Sequence, residues 1–211
     1  IPEEKDMGAY LMVFHRDETH GLYMAVSRDG YTFTAVNEGE PVLAGDTIAQ
    51  QRGIRDPHIF RGPDGAFYLA MTDLHVFGLR DGYRKTEWER GPEYGWGNNR
   101  GLVLMKSWDL IHWNRANIRF DKLSAGLGEI GCVWAPEVAY DDKKGKLMIY
   151  YTMRFKSEAN KLYYVYVNDD FNKIESTPQI LFEYPMDGVS AIDGDITKVG
   201  DKYHLFYVAH D

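Results

Sequence analysis

Apolar and polar residues alternate along the 211-residue chain with a period of two, which is the spacing of β-strands whose two faces meet different surroundings. Tyr, Phe, Val and Ile fill many of the apolar positions, and no window longer than about ten residues carries an apolar stripe of helical spacing between capping residues. Strands are predicted at 9–15, 22–27, 31–36, 66–72, 101–107, 146–153 and 161–167. Turn sequences such as Arg-Asp-Gly at 28–30 separate them. The chain is therefore predicted to be all-β.

Three segments of the chain resemble one another. They are DPHIFRGPDGAFYLAMTD at 56–73, APEVAYDDKKGKLMIYYT at 135–152 and DGDITKVGDKYHLFYVAHD at 193–211. A second landmark, at Ser27, Ser107 and Asn168, keeps nearly the same intervals. A repeat of about 60 residues with four strands has the size of a β-propeller blade, and the longer first interval fits an insertion at 79–99.

The repeats predict one propeller domain, of which the chain holds roughly three blades' worth. The predicted parts are a partial blade at 1–50, a blade at 54–120, a blade at 133–183 and a partial blade at 192–211. Because a closed propeller needs at least about four blades, we expect the sequence to be a piece of a longer domain that is cut in mid-blade at Asp211.

Charge and composition exclude several classes of partner. The chain has 24 Lys and Arg against 32 Asp and Glu and no basic stripe, so we expect no nucleic acid and no anionic membrane as partner. The opening sequence lacks the basic and apolar regions of a signal peptide, which predicts a cytosolic protein or an earlier removal of the leader. The single cysteine, Cys132, is predicted to be a small buried side chain.

Aromatic residues are abundant, with 15 Tyr, 10 Phe and 5 Trp. Such a content suits twisted sheets and also suits surfaces that stack on sugar rings, so composition leaves both uses open. Trp88, Trp96 and Trp134 are candidate sugar platforms, although Trp on blade strands more often packs in the core.

Candidate catalytic residues emerge where the repeats are matched, since the innermost strand of each blade lines the central channel of a propeller. The matched positions are Asp56, Ala135 and Asp193, and two residues later, on the same predicted face, stand His58, Glu137 and Asp195. Carboxyl groups gathered in a partly desolvated space shift one another's pKa values apart, which lets one serve as a base and another as an acid. That chemistry is typical of glycoside hydrolysis.

Each candidate also has a structural interpretation. Asp56, placed before Pro57, is predicted at a strand entrance and could cap a turn there and pair with Arg55. Asp193 could form a hairpin corner, and Glu137 could support the structure or orient a substrate. The histidines lack the spacing of metal ligands, so a metal site has little support.

The RDPHIF, WAPEVAYD and AIDGDITK segments, in this order and at these intervals, resemble the first three inward strands of glycoside hydrolase family 43. The resemblance covers nearly the whole chain and implies a five-bladed β-propeller that hydrolyses arabinose- or xylose-containing polysaccharides. It implies that Asp56 is the general base and that Asp193 tunes the pKa of the acid and orients it, although Gly194 stands where proline is usual. The acidic Glu of an EGP or EAP segment is absent after Asp193, which places the general acid outside this chain.

The resemblance also implies an inverting mechanism, with base and acid about 6.5–9.5 Å apart, and a role for Arg55 in keeping Asp56 ionised. The expected substrate-binding residues are Arg55, His58, Trp134, Glu137 and Asp195. No cofactor is expected to be required, although the family often holds a calcium ion in its channel. A monomer that is secreted or periplasmic and takes a carbohydrate substrate is expected.

Two alternatives remain open at this point. The sequence GIRDPHIF also resembles the retaining propeller hydrolases of sucrose and fructans, but their Asn-Asp-Pro nucleophile and Glu-Cys pair do not occur here. A propeller that binds glycans without cutting them would also place acidic residues in its channel. Loss of turnover in an Asp56→Asn variant that keeps its affinity would separate hydrolysis from binding.

Overall fold

A computed structural model describes residues 4–83, 88, 90–95 and 99–211. The strands in this part of the chain are β1 (Tyr10–His15), β2 (Leu22–Ser27), β3 (Thr34–Ala35), β4 (Ile54–Arg61), β5 (Phe67–Asp73), β6 (Gly101–Ser107), β7 (Trp113–Arg119), β8 (Ile130–Asp141), β9 (Lys146–Phe155), β10 (Lys161–Val167), β11 (Gln179–Phe182), β12 (Ser190–Val199) and β13 (Lys202–His210). A short helix, α1, spans Gly45–Ile48, and single 3-10 turns lie at Glu4–Asp6, Asn37–Gly39, Pro92–Tyr94, Phe120–Lys122 and Ala125–Leu127. None of the described helices has the length and apolar character needed to cross a membrane.

The strands form four antiparallel sheets that follow one another along the chain. Their orders are β1-β2-β3, β4-β5-β6-β7, β8-β9-β10-β11 and β12-β13. The first strands of successive sheets touch, since β4 contacts β8 and β8 contacts β12. This arrangement confirms the all-β prediction and is that of consecutive propeller blades whose first strands lie innermost.

The predicted strand at 31–36 is wrong over most of its length, because only Thr34–Ala35 pairs with β2. The side chain of Asp29 accepts hydrogen bonds from the N–H groups of Tyr31 (2.9 Å) and Thr32 (2.8 Å). These bonds hold the start of the segment in a turn and remove it from the sheet.

Strand β5 shows how the sheets pack. Tyr68 and Ala70 lie in the core shared with the following sheet, whereas Leu69 and Met71 lie in the core shared with the preceding sheet. All four side chains are at most 2% exposed, and burying a side chain of the size of Leu or Met contributes about 1.5–3 kcal/mol. The sheet β4-β5-β6-β7 is therefore packed on both faces, which fixes the positions of the innermost strands relative to one another.

Candidate active site

The innermost strands β4, β8 and β12 carry the same irregularity at matched positions. Asp56, Ala135 and Asp193 have φ angles of 47°, 44° and 52°, in the left-handed region that non-glycine residues rarely occupy. The pairing of each strand with its neighbour shifts register at this point. Asp56 thus lies within β4, and the prediction of a strand entrance was wrong in this detail.

Each bulge is held by a side chain from the preceding sheet. The contacts join the N–H of Asp56 to His15 Nδ1 at 3.2 Å, the N–H of Ala135 to Thr72 Oγ1 at 3.0 Å and the N–H of Asp193 to Thr152 Oγ1 at 3.1 Å. In every case the accepting strand (β1, β5 or β9) belongs to the sheet before the bulge. A left-handed residue costs about 1–3 kcal/mol, and these bonds help to offset that strain.

A cavity of about 200 Å³ opens where the bulges meet. Its lining consists of Asp56, Pro57, His58, Ala135, Pro136, Glu137, Asp193 and Gly194. Since the bulge interrupts strict alternation, consecutive residues of β4 and β8 reach the cavity, and not only every second one as predicted. The structure brings Asp56, His58, Glu137 and Asp193 together, whereas Arg55, Trp134 and Asp195 do not line this cavity.

The carboxylate of Asp56 is held by Thr72, whose hydroxyl donates to Asp56 Oδ2 at 2.9 Å. The predicted pairing of Asp56 with Arg55 is wrong, because the Arg55 guanidinium forms its ion pair with Asp17. Sequence reasoning missed Thr72 and Thr152, although a threonine near the end of the second strand in both sheets was a signal.

Asp193 lines the cavity opposite the strand of Asp56. Burial raises the pKa of the Asp193 carboxyl, and the negative charge of Asp56 raises it further, whereas His210 acts in the opposite direction. A carboxyl group whose ionisation is disfavoured beside a second carboxyl group supplies the conditions for acid and base chemistry in one cavity.

Glu137 accepts a hydrogen bond at Oε2 from the hydroxyl of Tyr150, which in turn accepts the N–H of Ile196 at 3.0 Å. Burial raises the pKa of Glu137 to about 7, with the Tyr150 hydrogen bond opposing this shift and Asp195 adding to it. Asp195 is exposed, but it still affects the cavity because it raises the pKa of Glu137.

His58 is a neutral hydrogen-bonding group. Burial lowers the pKa of His58 to about 4, against a smaller opposite effect of Asp195. Its Nδ1 accepts the N–H of Val138 at 3.1 Å, so in the neutral ring the hydrogen is on Nε2. That nitrogen lies 4.0 Å from Glu137 Oε2.

Of the three tryptophans considered as sugar platforms, one packs in the interior and the other two remain candidates. Trp88 is 2% exposed, and the guanidinium of Arg119 lies 4.1 Å from its ring centroid, so this residue packs in the interior. Trp134 is half-buried with Arg154 over its ring at 5.0 Å, and its role in substrate binding stays a prediction. Trp96 lies outside the described residues.

A metal site of carboxylate, imidazole or thiolate ligands was looked for among the described side chains. Among residues 4–83, 88, 90–95 and 99–211, no three His, Cys, Asp or Glu side chains are grouped to hold one. A calcium ion in the channel stays a prediction. Cys132 is buried as expected, and burial raises the pKa of its thiol to about 12.

Comparison with known proteins finds glycosidases of similar sequence and fold. The chain is 25% identical over 220 residues to an α-L-arabinofuranosidase of Bifidobacterium longum, with 95% of this chain and 19% of that protein covered. In fold it is similar to an α-L-arabinofuranosidase from Clostridium thermocellum, with a TM-score of 0.64, 16% identity, and 95% of this chain and 57% of the other covered.

A second solved structure of similar fold is the α-L-arabinanase of Penicillium chrysogenum in complex with arabinobiose, with a TM-score of 0.59 and 14% identity. The match covers 96% of this chain and 62% of the arabinanase. The chain thus spans about a fifth of the curated relative and somewhat more than half of these two solved structures.

The family comparison covers almost the whole chain. A family model for domains related to glycosyl hydrolase 43, described as "Probable glycosyl hydrolase domain", matches residues 5–211. The blade-like sheets and the acidic cavity between their first strands agree with this match. The chain belongs to this glycosyl hydrolase 43-related family.

Proposed function

We propose that the chain forms part of the catalytic propeller of an inverting glycoside hydrolase that releases arabinose or xylose units, with α-L-arabinofuranosides as the preferred substrate class. The observation that carries this proposal is the shared cavity of Asp56 and Asp193, in which burial and the charge of Asp56 raise the pKa of Asp193. The arabinofuranosidase and arabinanase relatives support the sugar class.

In the proposed reaction, Asp56 is the general base. Thr72 holds Oδ2, and within the described part of the chain Oδ1 has no hydrogen-bond partner, so Oδ1 can bind a water molecule. The water oxygen attacks the anomeric carbon, its proton passes to Asp56, and the bond to the leaving oxygen breaks as a proton donor protonates that oxygen. We assign the donor to a carboxyl group outside residues 1–211.

Asp193 is assigned the role of tuning the proton donor. A carboxylate near a second carboxyl group raises the pKa of the latter and keeps it protonated until the leaving oxygen requires the proton. Its N–H bond to Thr152 and its left-handed backbone fix where this charge lies.

His58 and Glu137 are assigned to the hydroxyl groups of the bound sugar. The Nε2–H of neutral His58 can donate, and Glu137 can donate while protonated and accept after ionisation, which its pKa of about 7 permits near neutral pH. Both line the cavity without a direct bond to Asp56 in the described structure. Arg55 is assigned an indirect role in substrate binding, through its ion pair with Asp17.

A second cavity, of about 440 Å³, is proposed to hold the part of the glycan beyond the cleaved bond. Asp17, the ion-pair partner of Arg55, is in its lining together with Phe77 and Tyr83, whose rings are 36% and 43% exposed. Partly exposed aromatic rings next to charged groups suit a neutral sugar, which offers apolar C–H faces and hydroxyl groups. A monomeric enzyme that is secreted or periplasmic fits a polymeric substrate of this kind.

Hydrolysis of p-nitrophenyl glycosides and of arabinan by the protein that carries this chain tests the proposal. We expect turnover of α-L-arabinofuranosides or β-D-xylosides and a loss of kcat of about 10²–10⁴-fold in Asp56→Asn, with little change in affinity. Asp187→Asn, at an exposed position away from the cavity, is the matched control and should behave as wild type. Cleavage of galactosides alone, or binding of arabino-oligosaccharides without turnover, would contradict it.

A further inference from the structure

We propose that Thr72 is the positioning residue of Asp56, fixing the orientation of its carboxylate and linking it to the neighbouring sheet. The inference rests on the proposed function for its catalytic consequence, but the contact itself is independent of any substrate. Thr72 lies near the end of β5 and is fully buried at 0% exposure, so it supports the site without forming part of the cavity surface.

The direction of the two hydrogen bonds at Thr72 is determined. Its Oγ1 lies 3.0 Å from the N–H of Ala135, and an amide N–H can only donate. The hydroxyl therefore accepts from Ala135, and its single hydrogen is directed to Asp56 Oδ2 at 2.9 Å. A bond from a neutral donor to an ionised carboxylate is among the stronger hydrogen bonds in proteins.

Among the described residues, Thr72 is the side chain that donates a hydrogen bond to the Asp56 carboxylate, while His15 and Asp193 act on it only through their charges. Its backbone is in the left-handed region with φ of 47°, and its sequence neighbour Arg55 is paired with Asp17. A threonine side chain is restricted at χ1, and full burial restricts it further, so Thr72 presents its hydroxyl in one direction. The carboxylate thus takes its orientation from β5 and from the bulge of β8.

In the next repeat, a threonine also accepts a hydrogen bond from the N–H group of a bulge, but it does not orient a carboxylate. Thr152 on β9 accepts the N–H of Asp193 at 3.1 Å, as Thr72 accepts that of Ala135. In the sheet of Thr152, the position that matches Asp56 is Ala135. No carboxylate therefore stands at that position to accept the hydrogen of the Thr152 hydroxyl. Anchoring a bulge is the shared role, and orienting a carboxylate is specific to Thr72.

Thr72→Val and Thr72→Ser separate these roles by experiment, since valine keeps the shape and loses the hydroxyl whereas serine keeps the hydroxyl. For Thr72→Val we expect kcat to fall about 10–100-fold with KM within about twofold, and the acidic limb of the kcat/KM profile to move to higher pH, because an ionised carboxylate loses a donor. Thr72→Ser should recover most of kcat. In an Asp56→Asn background, Thr72→Val should have little further effect on kcat.

A wild-type kcat and pH profile in Thr72→Val, or equal losses in the valine and serine variants, would overturn the inference. An additive loss in the double variant, as general unfolding would produce, would also overturn it. A crystal structure of each protein supplies a readout without substrate, and the Asp56 carboxylate should leave its wild-type orientation in Thr72→Val but keep it in Thr72→Ser. An inactive wild type whose Asp56 carboxylate is reoriented in Thr72→Val would contradict the proposed function alone, and an unchanged carboxylate orientation in Thr72→Val would contradict the role of Thr72.

Discussion

Asp56 and Asp193 line the same cavity although a complete four-stranded sheet, β8 to β11, separates their own sheets along the chain. Burial raises the pKa of Asp193, and the charge of Asp56 raises it further. This relationship follows from the contact of β4 with β8 and of β8 with β12, which gathers matched positions of successive sheets around one point.

Replacement of Asp193 tests its tuning role. In Asp193→Asn we expect a lower kcat and a basic limb of the pH profile that moves to lower pH, because the proton donor loses a neighbouring negative charge that keeps it protonated. The measurement is kcat/KM between pH 4 and 9 on an aryl arabinofuranoside. Asp195→Asn, two residues along the strand and outside the cavity lining, should shift this limb less. An unchanged basic limb in Asp193→Asn would argue against the assignment.

Glu137 predicts a pH dependence of stability with a defined sign. Because its pKa in the folded protein is raised from 4.5 to about 7, the folded state holds a proton that the unfolded state releases, and stability falls as pH rises through this window. Glu137→Gln keeps an acceptor for Tyr150 and removes the titration. The free energy of unfolding of the variant relative to wild type should therefore rise by up to about 3 kcal/mol between pH 4.5 and 8.

Urea unfolding at a series of pH values measures this difference. Asp73→Asn serves as the comparison, since burial also raises the pKa of Asp73, to about 6, at a site outside the cavity. Its effect should be complete by about pH 7, whereas that of Glu137→Gln should continue to grow. A difference between Glu137→Gln and wild type that is independent of pH would show that Glu137 does not titrate in this range.

The second cavity predicts a substrate-dependent effect of Phe77. In Phe77→Ala we expect KM for arabino-oligosaccharides to rise about 2–10-fold, the size of one lost aromatic contact, while kinetics on a small aryl glycoside change less than about twofold. Leu79→Ala is the control, because Leu79 is 63% exposed and outside the lining of this cavity. Equal effects of Phe77→Ala on both substrates would contradict the placement of the glycan.

The positions of the strands could be predicted from the sequence more accurately than the bulges and side-chain contacts within the sheets. Strands 22–27, 101–107 and 161–167 agree with β2, β6 and β10 because apolar alternation reports directly which face is buried. The match of Asp56 with Asp193 was visible because propeller repeats bring equal positions together. These features depend on patterns that local sequence carries.

The bulges could not be predicted from patterns in the local sequence. A residue before proline is expected to be extended, yet Asp56 and Ala135 are left-handed, because His15 and Thr72 from other strands hold their N–H groups. The partner of Arg55 was mistaken for the same reason, since Asp17 lies 38 residues away along the chain. Contacts between strands decide these details, and one sequence does not reveal them.

The central claim is that Asp56 activates water for a single displacement, and the configuration of the first-formed sugar tests it most directly. Hydrolysis of an aryl α-L-arabinofuranoside followed by ¹H NMR within the first minutes, before mutarotation, shows which anomer is released. We predict the β-anomer, the product of inversion. Initial release of the α-anomer would mean a covalent intermediate and would contradict the role of Asp56 as general base.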